Sequence, residues 1–151
     1  MKEVTFEEEL NEHGTLIFTN VGVSMLPLLR QGRDLMVIKK KGAEPLKKYD
    51  AVLFKRPNGQ YILHRILKIK DGRYYIVGDN CTKGEYVAEE QVLGVLTEVV
   101  RDGKKTSADD KRYRFYVHMI CDFFHIRVAV IKFNVLLNAV RFKLNQVFRK
   151  K

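Results

Sequence analysis

The chain is poor in the features that mark several large protein classes. It has two cysteines, Cys81 and Cys121, far apart, with no C-x-x-C and no Cys/His ligand spacing. Two free thiols in a reducing compartment are therefore expected, with no metal and no cofactor. The first twelve residues are acidic and lack the apolar core of a secretory signal segment. No stretch reaches about 18 uncharged apolar residues, so no ordinary transmembrane helix is expected. The expected location is cytoplasmic or peripheral to a membrane. There is no internal repeat and no low-complexity tract. The tail almost lacks acid: residues 111–151 hold ten Lys and Arg against Asp122 alone, whereas residues 1–110 hold 18 basic and 17 acidic residues. The net charge of +10 thus belongs to the tail, which suits a polyanion, either nucleic acid or an anionic lipid surface.

What is present suits a folded protein. With 151 residues, 46% hydrophobic and 30% charged, the chain can form one domain with a short appendage. The stretch Phe6–Leu10 reads as either a short acidic helix or a frayed terminus. β-like segments follow at Thr15–Phe18, Leu35–Ile38, Ala51–Phe54, Tyr61–Ile69, Arg73–Val77 and Val92–Val100. Turn signals at Pro57-Asn58-Gly59, Asp71-Gly72 and Asp102-Gly103 punctuate them. This predicts a mainly β domain over residues 1–106. The texture changes at Ser107-Ala108-Asp109-Asp110, where a Ser followed three residues later by an acid loosely resembles a helix N-terminus. Residues 107–151 contain neither Gly nor Pro. Phe123, Ile126, Val130, Phe133, Leu137, Val140, Leu144 and Val147 recur at spacings of three and four. That spacing predicts an amphipathic basic helical tail, as one helix or two. Arg127, Asn134, Asn138, Arg141, Asn145 and Arg149 form its adjoining polar flank.

Two residues draw attention for their chemistry. A serine hydroxyl is a weak nucleophile until a base takes its proton and donors hold the developing oxyanion. Gly22-Val23-Ser24-Met25-Leu26-Pro27 is a tight turn that can present such a hydroxyl, and His64 lies within a predicted strand. Taken singly, a Ser-Met-x-Pro string is more often a plain loop, and a strand histidine is more often structural.

Together with further blocks, the sequence resembles the signal-peptidase superfamily, which includes the SOS-repressor autopeptidases. Gly22–Pro27 looks like its nucleophile box and Gln31-Gly32-Arg33-Asp34-Leu35-Met36-Val37 like the strand that follows. Tyr49-Asp50-Ala51-Val52-Leu53-Phe54 is similar to a family strand that begins Gly-Asp. Ile62-Leu63-His64-Arg65-Ile66 falls in the general-base strand, Val77-Gly78-Asp79-Asn80 in the Gly-Asp-Asn box, and Val92-Leu93-Gly94-Val95-Leu96 in the closing strand. The matches run in the family's order over about residues 14–100.

The resemblance implies a signal-peptidase-like β fold, with Ser24 as nucleophile and His64 as general base. Bacterial type I enzymes carry lysine at the base position, so the likeness is to the histidine-using branch. An imidazole is already partly neutral at pH 7, whereas a lysine must first be desolvated. Lys68, four residues along the strand, is about 13 Å from His64 and more readily solvated. Asp79 is the implied third member and Glu85 the alternative acid; a Ser24–His64 dyad without an acid is a further arrangement. The Ser24 amide is the natural oxyanion donor. Many bacterial relatives add a hydroxyl two residues earlier, where this chain has Gly22.

The function so implied is a serine endopeptidase that hydrolyses leader or signal segments of other polypeptides at small residues. Two alternatives stand beside it: a non-catalytic membrane-associated module on the same fold, and a repressor-type autopeptidase, for which residues 1–23 leave little room. For the tail over 107–151, an anionic membrane surface stands against packing on the domain or on a second copy. Nucleic acid is the least favoured partner.

Overall fold

The structure, a computed structural model, describes residues 4–148. Arg149, placed above on the polar flank of the tail, lies outside the described residues, as does the side chain of Val147. The elements run α1 (Phe6–His13), β1 (Thr15–Thr19), β2 (Leu35–Lys40), β3 (Ala51–Lys55), β4 (Tyr61–Lys70), β5 (Arg73–Val77), β6 (Glu85–Ala88), a 3-10 turn (Glu89–Gln91), β7 (Val92–Arg101), β8 (Lys104–Ser107), α2 (Lys111–Asp122) and α3 (Phe124–Phe148). The protein is mainly β: one antiparallel sheet in the order β1-β2-β7-β3-β4-β5-β6, with β8 hairpinned onto β7.

The central strand β3 is buried from Ala51 to Phe54. A strand buried on both faces reads as an unbroken apolar run, because alternate side chains enter different layers. Ala51 and Leu53 join one core with Leu10, Met25, Leu29, Met36, Ile38 and Leu96. Val52 and Phe54 join the other with Ile66, Tyr74, Ile76, Val87 and Val92.

The six predicted strands are all present within a residue or two. β6 and β8 were not expected. β6 buries only Val87 and β8 buries nothing, so neither carries an apolar alternation. Pairing with β5 and β7 makes them strands.

The acidic helix α1 extends to His13. Thr5 caps it in a reciprocal box with Glu8, and Gly14, at φ +70°, closes it. The helical tail is two helices, broken at Phe123. Its first cap is Asp110, which accepts from the Arg112 amide, rather than Ser107, whose Oγ accepts from Asp109. α2 buries Tyr113, Val117, Ile120 and Cys121 in the first core. Beyond Cys121, no described tail side chain is fully buried.

Candidate functional site

Ser24 sits in the loop joining β1 to β2. Glycine is required two residues before it, because Gly22 has φ +105°, a conformation hostile to any side chain. A serine or threonine at position 22 would be strained. Met25 and Leu29 are fully buried and pin the loop from beneath. Gly32 N–H donates to the Asn20 carbonyl at 3.0 Å and closes the neck of the loop.

Charge completes the anchoring. Asp34, fully buried, accepts from the Arg30 amide and guanidinium and from Arg101. Arg101 also donates to the Pro27 and Leu28 carbonyls at 2.7 Å. Burial alone pushes the Asp34 carboxyl up, but the hydrogen bonds from Arg30 and Arg101 outweigh it and hold the group at about 2. Asp34 is therefore ionised at any working pH.

A second clamp comes from the β5–β6 connection. Asn80 N–H donates to the Ser24 carbonyl at 2.7 Å, and Asn80 Nδ2 donates to the Val23 carbonyl at 3.1 Å. The Ser24 amide has no acceptor among the described residues and is free to donate to a ligand oxygen.

His64 lies mid-strand in β4, opposite Val52, its ring beside Phe54. Its Nε2 and the Ser24 main-chain carbonyl both border Gly78. A Cβ there would lie 2.7 Å from the Ser24 carbonyl, 2.8 Å from Cys81 Sγ and 2.9 Å from His64 Nε2. Glycine at 78 is thus a matter of space rather than of φ, and its bare Cα lets the histidine strand and the serine loop close on one point. The imidazole is buried, and desolvation pushes it down to about 4; Glu85 and Asp79 raise it and Arg56 lowers it, with less effect than burial. His64 is consequently neutral across the physiological range. Its Nδ1 is buried without a hydrogen-bond partner, and Ser24 Oγ has none among the described residues.

Neither sequence-nominated acid bonds the histidine. Asp79 is fully buried and committed elsewhere: Arg65 Nε and Nη2 donate to its two oxygens at 2.9 and 2.8 Å, and Tyr116 Oη donates at 3.0 Å. Glu85 forms a bidentate pair with Arg56. The structure thus places the Ser24 main-chain carbonyl and the His64 ring against the same glycine, with no hydrogen bond between Ser24 and His64 among the described residues, and holds Asp79 and Glu85 in other pairs. Lys68 is exposed, beyond a bulge in the β4–β5 register.

Sequence reading missed Arg65, Asn80 and Cys81. Arg65 carried a signal, a lone cation inside an apolar strand segment, since a buried charge demands a partner. Cys81 is close enough to His64 to raise the question of a thiol nucleophile. Burial pushes its thiol up, away from the reactive thiolate form, so the hydroxyl of Ser24 is the better candidate. Among the described residues no group of three or more His, Cys, Asp and Glu could hold a metal ion. No family model matches the chain, and no curated protein matches it.

Proposed function

We propose that this protein is a serine endopeptidase of the signal-peptidase-like kind, working with a Ser24–His64 dyad on leader or signal segments of other polypeptides. The observation that carries the reading is the convergence at Gly78, where the serine loop and a buried, neutral histidine meet across a position that only glycine can occupy. The ordered blocks from Gly22–Pro27 to Val92–Leu96 support it, and the antiparallel sheet is compatible with a signal-peptidase-like fold.

In this mechanism a bound peptide closes the gap between Ser24 Oγ and His64 Nε2; catalytic hydrogen bonds are often formed only in the complex. Oγ attacks the scissile carbonyl carbon while Nε2 takes its proton. The free Ser24 amide donates to the resulting oxyanion. The imidazolium then returns the proton to the leaving amine as the C–N bond breaks. Water hydrolyses the acyl-enzyme by the same steps. With no hydroxyl at Gly22, one oxyanion donor is missing, and such a donor is commonly worth about 10²–10³ in kcat. A slow enzyme is expected.

The helix α3 attaches this enzyme to an anionic bilayer surface. Ile126, Val130, Phe133, Val140 and Leu144 are exposed along one stripe, and the helix carries Arg127, Lys132, Arg141 and Lys143 with no acid. No helix among the described residues is long and apolar enough to cross a membrane.

The test is cleavage of a peptide mixture by the full chain, with Ser24→Ala and His64→Ala alongside. Each variant is expected to lose about 10³-fold or more in kcat, and wild-type kcat/KM to fall only as pH drops through about 4, where His64 takes up its proton. Cleavage retained by Ser24→Ala overturns the mechanism. An acid limb near the ordinary histidine value of about 6.5 overturns the desolvated base.

A further inference from the structure

Beside Ser24 lies a cleft of about 440 Å³ whose floor is Met36, Leu53 and Leu63, with Phe18 and Tyr61 at its sides. Its outer wall is not part of the sheet. Phe6, the first residue of α1, packs its ring against Phe18 at 4.7 Å and Tyr61 at 4.6 Å between centroids. Glu7 locks the helix in place, accepting from Lys55 Nζ at 2.6 Å and from the Tyr61 hydroxyl. Burial raises the Glu7 carboxyl, but these hydrogen bonds prevail and hold it below its ordinary value, so the lock is charged at neutral pH. At the other end of the helix, Leu10 is buried in the core.

We infer that this cleft is the subsite for a bulky apolar side chain of the substrate, of leucine, methionine or phenylalanine size, and that Phe6 is its specificity-determining wall. The inference rests on the peptidase reading and departs from the small-residue preference that the family resemblance implies. An alanine methyl would leave most of a hollow of this volume unfilled, and its floor is apolar and offers water few hydrogen bonds. A larger side chain gains from every methylene it removes from water. Phe6 sets the limit, because its ring is the boundary supplied by a helix rather than by the paired strands.

Peptides from a proteome digest, incubated with the full chain and read by mass spectrometry, test this directly. Sites that vanish with Ser24→Ala are the relevant set. They are expected to favour Leu, Met or Phe over Ala by about tenfold or more at one position near the scissile bond, the discrimination a methylene or two supplies. Phe6→Ala is expected to move that preference toward Trp and Tyr, and Phe6→Leu to move it part of the way. The preference is a ratio within one digest, so a partly unfolded variant does not distort it. Ser24-dependent sites with Ala or Gly at every nearby position, or a preference indifferent to both Phe6 variants, overturn the subsite and leave the peptidase standing. No Ser24-dependent site at all overturns the peptidase, and the subsite with it.

Discussion

α2 and α3 follow one another almost without a break, both are basic, and both carry apolar residues at helical spacing, yet they meet opposite fates. α2 buries four side chains in the core. On α3, Phe124, Arg127, Val128 and Ile131 are half-buried near the domain, and the helix then continues with Val135, Leu136, Val140, Phe142 and Leu144 exposed. The apolar residues of α3 also depart from the single stripe that spacing suggested. Phe124, Val128, Ile131, Val135 and Phe142 form a second face, roughly opposite Ile126, Phe133 and Val140 at 3.6 residues per turn.

The difference lies in what the sheet offers each helix. Arg65 and Asp79 form a fully buried pair, and α2 supplies Tyr116 to Asp79 and Tyr113 to Arg65. Tyr49 adds its carbonyl to Arg65 and its hydroxyl to Asp122. Tyr49 occupies φ +80°, where the resembling family strand carries glycine. That strained backbone is offset by the contacts its side chain makes to the end of α2. Among the described residues, α3 hydrogen-bonds the domain through Arg127, which donates to the Asp79 and Cys81 carbonyls. Amphipathicity thus prepares a helix for docking, but a satisfied polar anchor and a matching apolar floor decide whether it docks.

Three variants sharpen the contrast. Asp79→Asn should destabilise the fold by about 3–5 kcal/mol in denaturant melts, because it leaves the buried Arg65 without its counter-charge. The acid limb of kcat/KM should move only slightly, and downward from about 4, in that variant, since Asp79 raises His64 weakly through space and is not bonded to it. A limb displaced by a full unit would return Asp79 to the histidine. Ile120→Ala should cost about 2–3 kcal/mol, the lower end of the range for a buried apolar side chain cut back to a methyl. The smallest effect on stability belongs to α3: Phe133→Ser with Val140→Asn should change it by less than about 0.5 kcal/mol. The same pair should abolish flotation of the full chain with phosphatidylglycerol-containing vesicles while phosphatidylcholine vesicles bind neither form. A large stability loss would mean that α3 is packed after all; wild-type chain that fails to float removes the bilayer as its partner.

The strands that bear the site were legible because each is a short apolar run between turn residues, and those are local signals. That the Ser24 loop and the His64 strand approach one another was suggested by the order of blocks along the chain. β6 and β8 were not, because polar edge strands are specified by the neighbour they pair with. Asp79 was misleading for a related reason. Its box suggested a partner for His64, but a carboxylate bonds whichever donors surround it, and Arg65 and Tyr116 reach it from elements 14 and 37 residues away in sequence.

By itself, the sequence determined the alternation that places β3 between two layers, the glycine-dependent turn before Ser24, the helical tail and the concentration of positive charge within it. Periodicity, φ preference and charge count act over a few residues and need no knowledge of the rest. Only the tertiary structure decided that the bare Cα of Gly78 admits His64 to the serine loop, that burial keeps this histidine neutral without a carboxylate, and that α1 closes one side of the cleft by Ser24. Desolvation and ion-pair choice depend on distances between residues far apart in the chain, and those distances exist only once the sheet has formed.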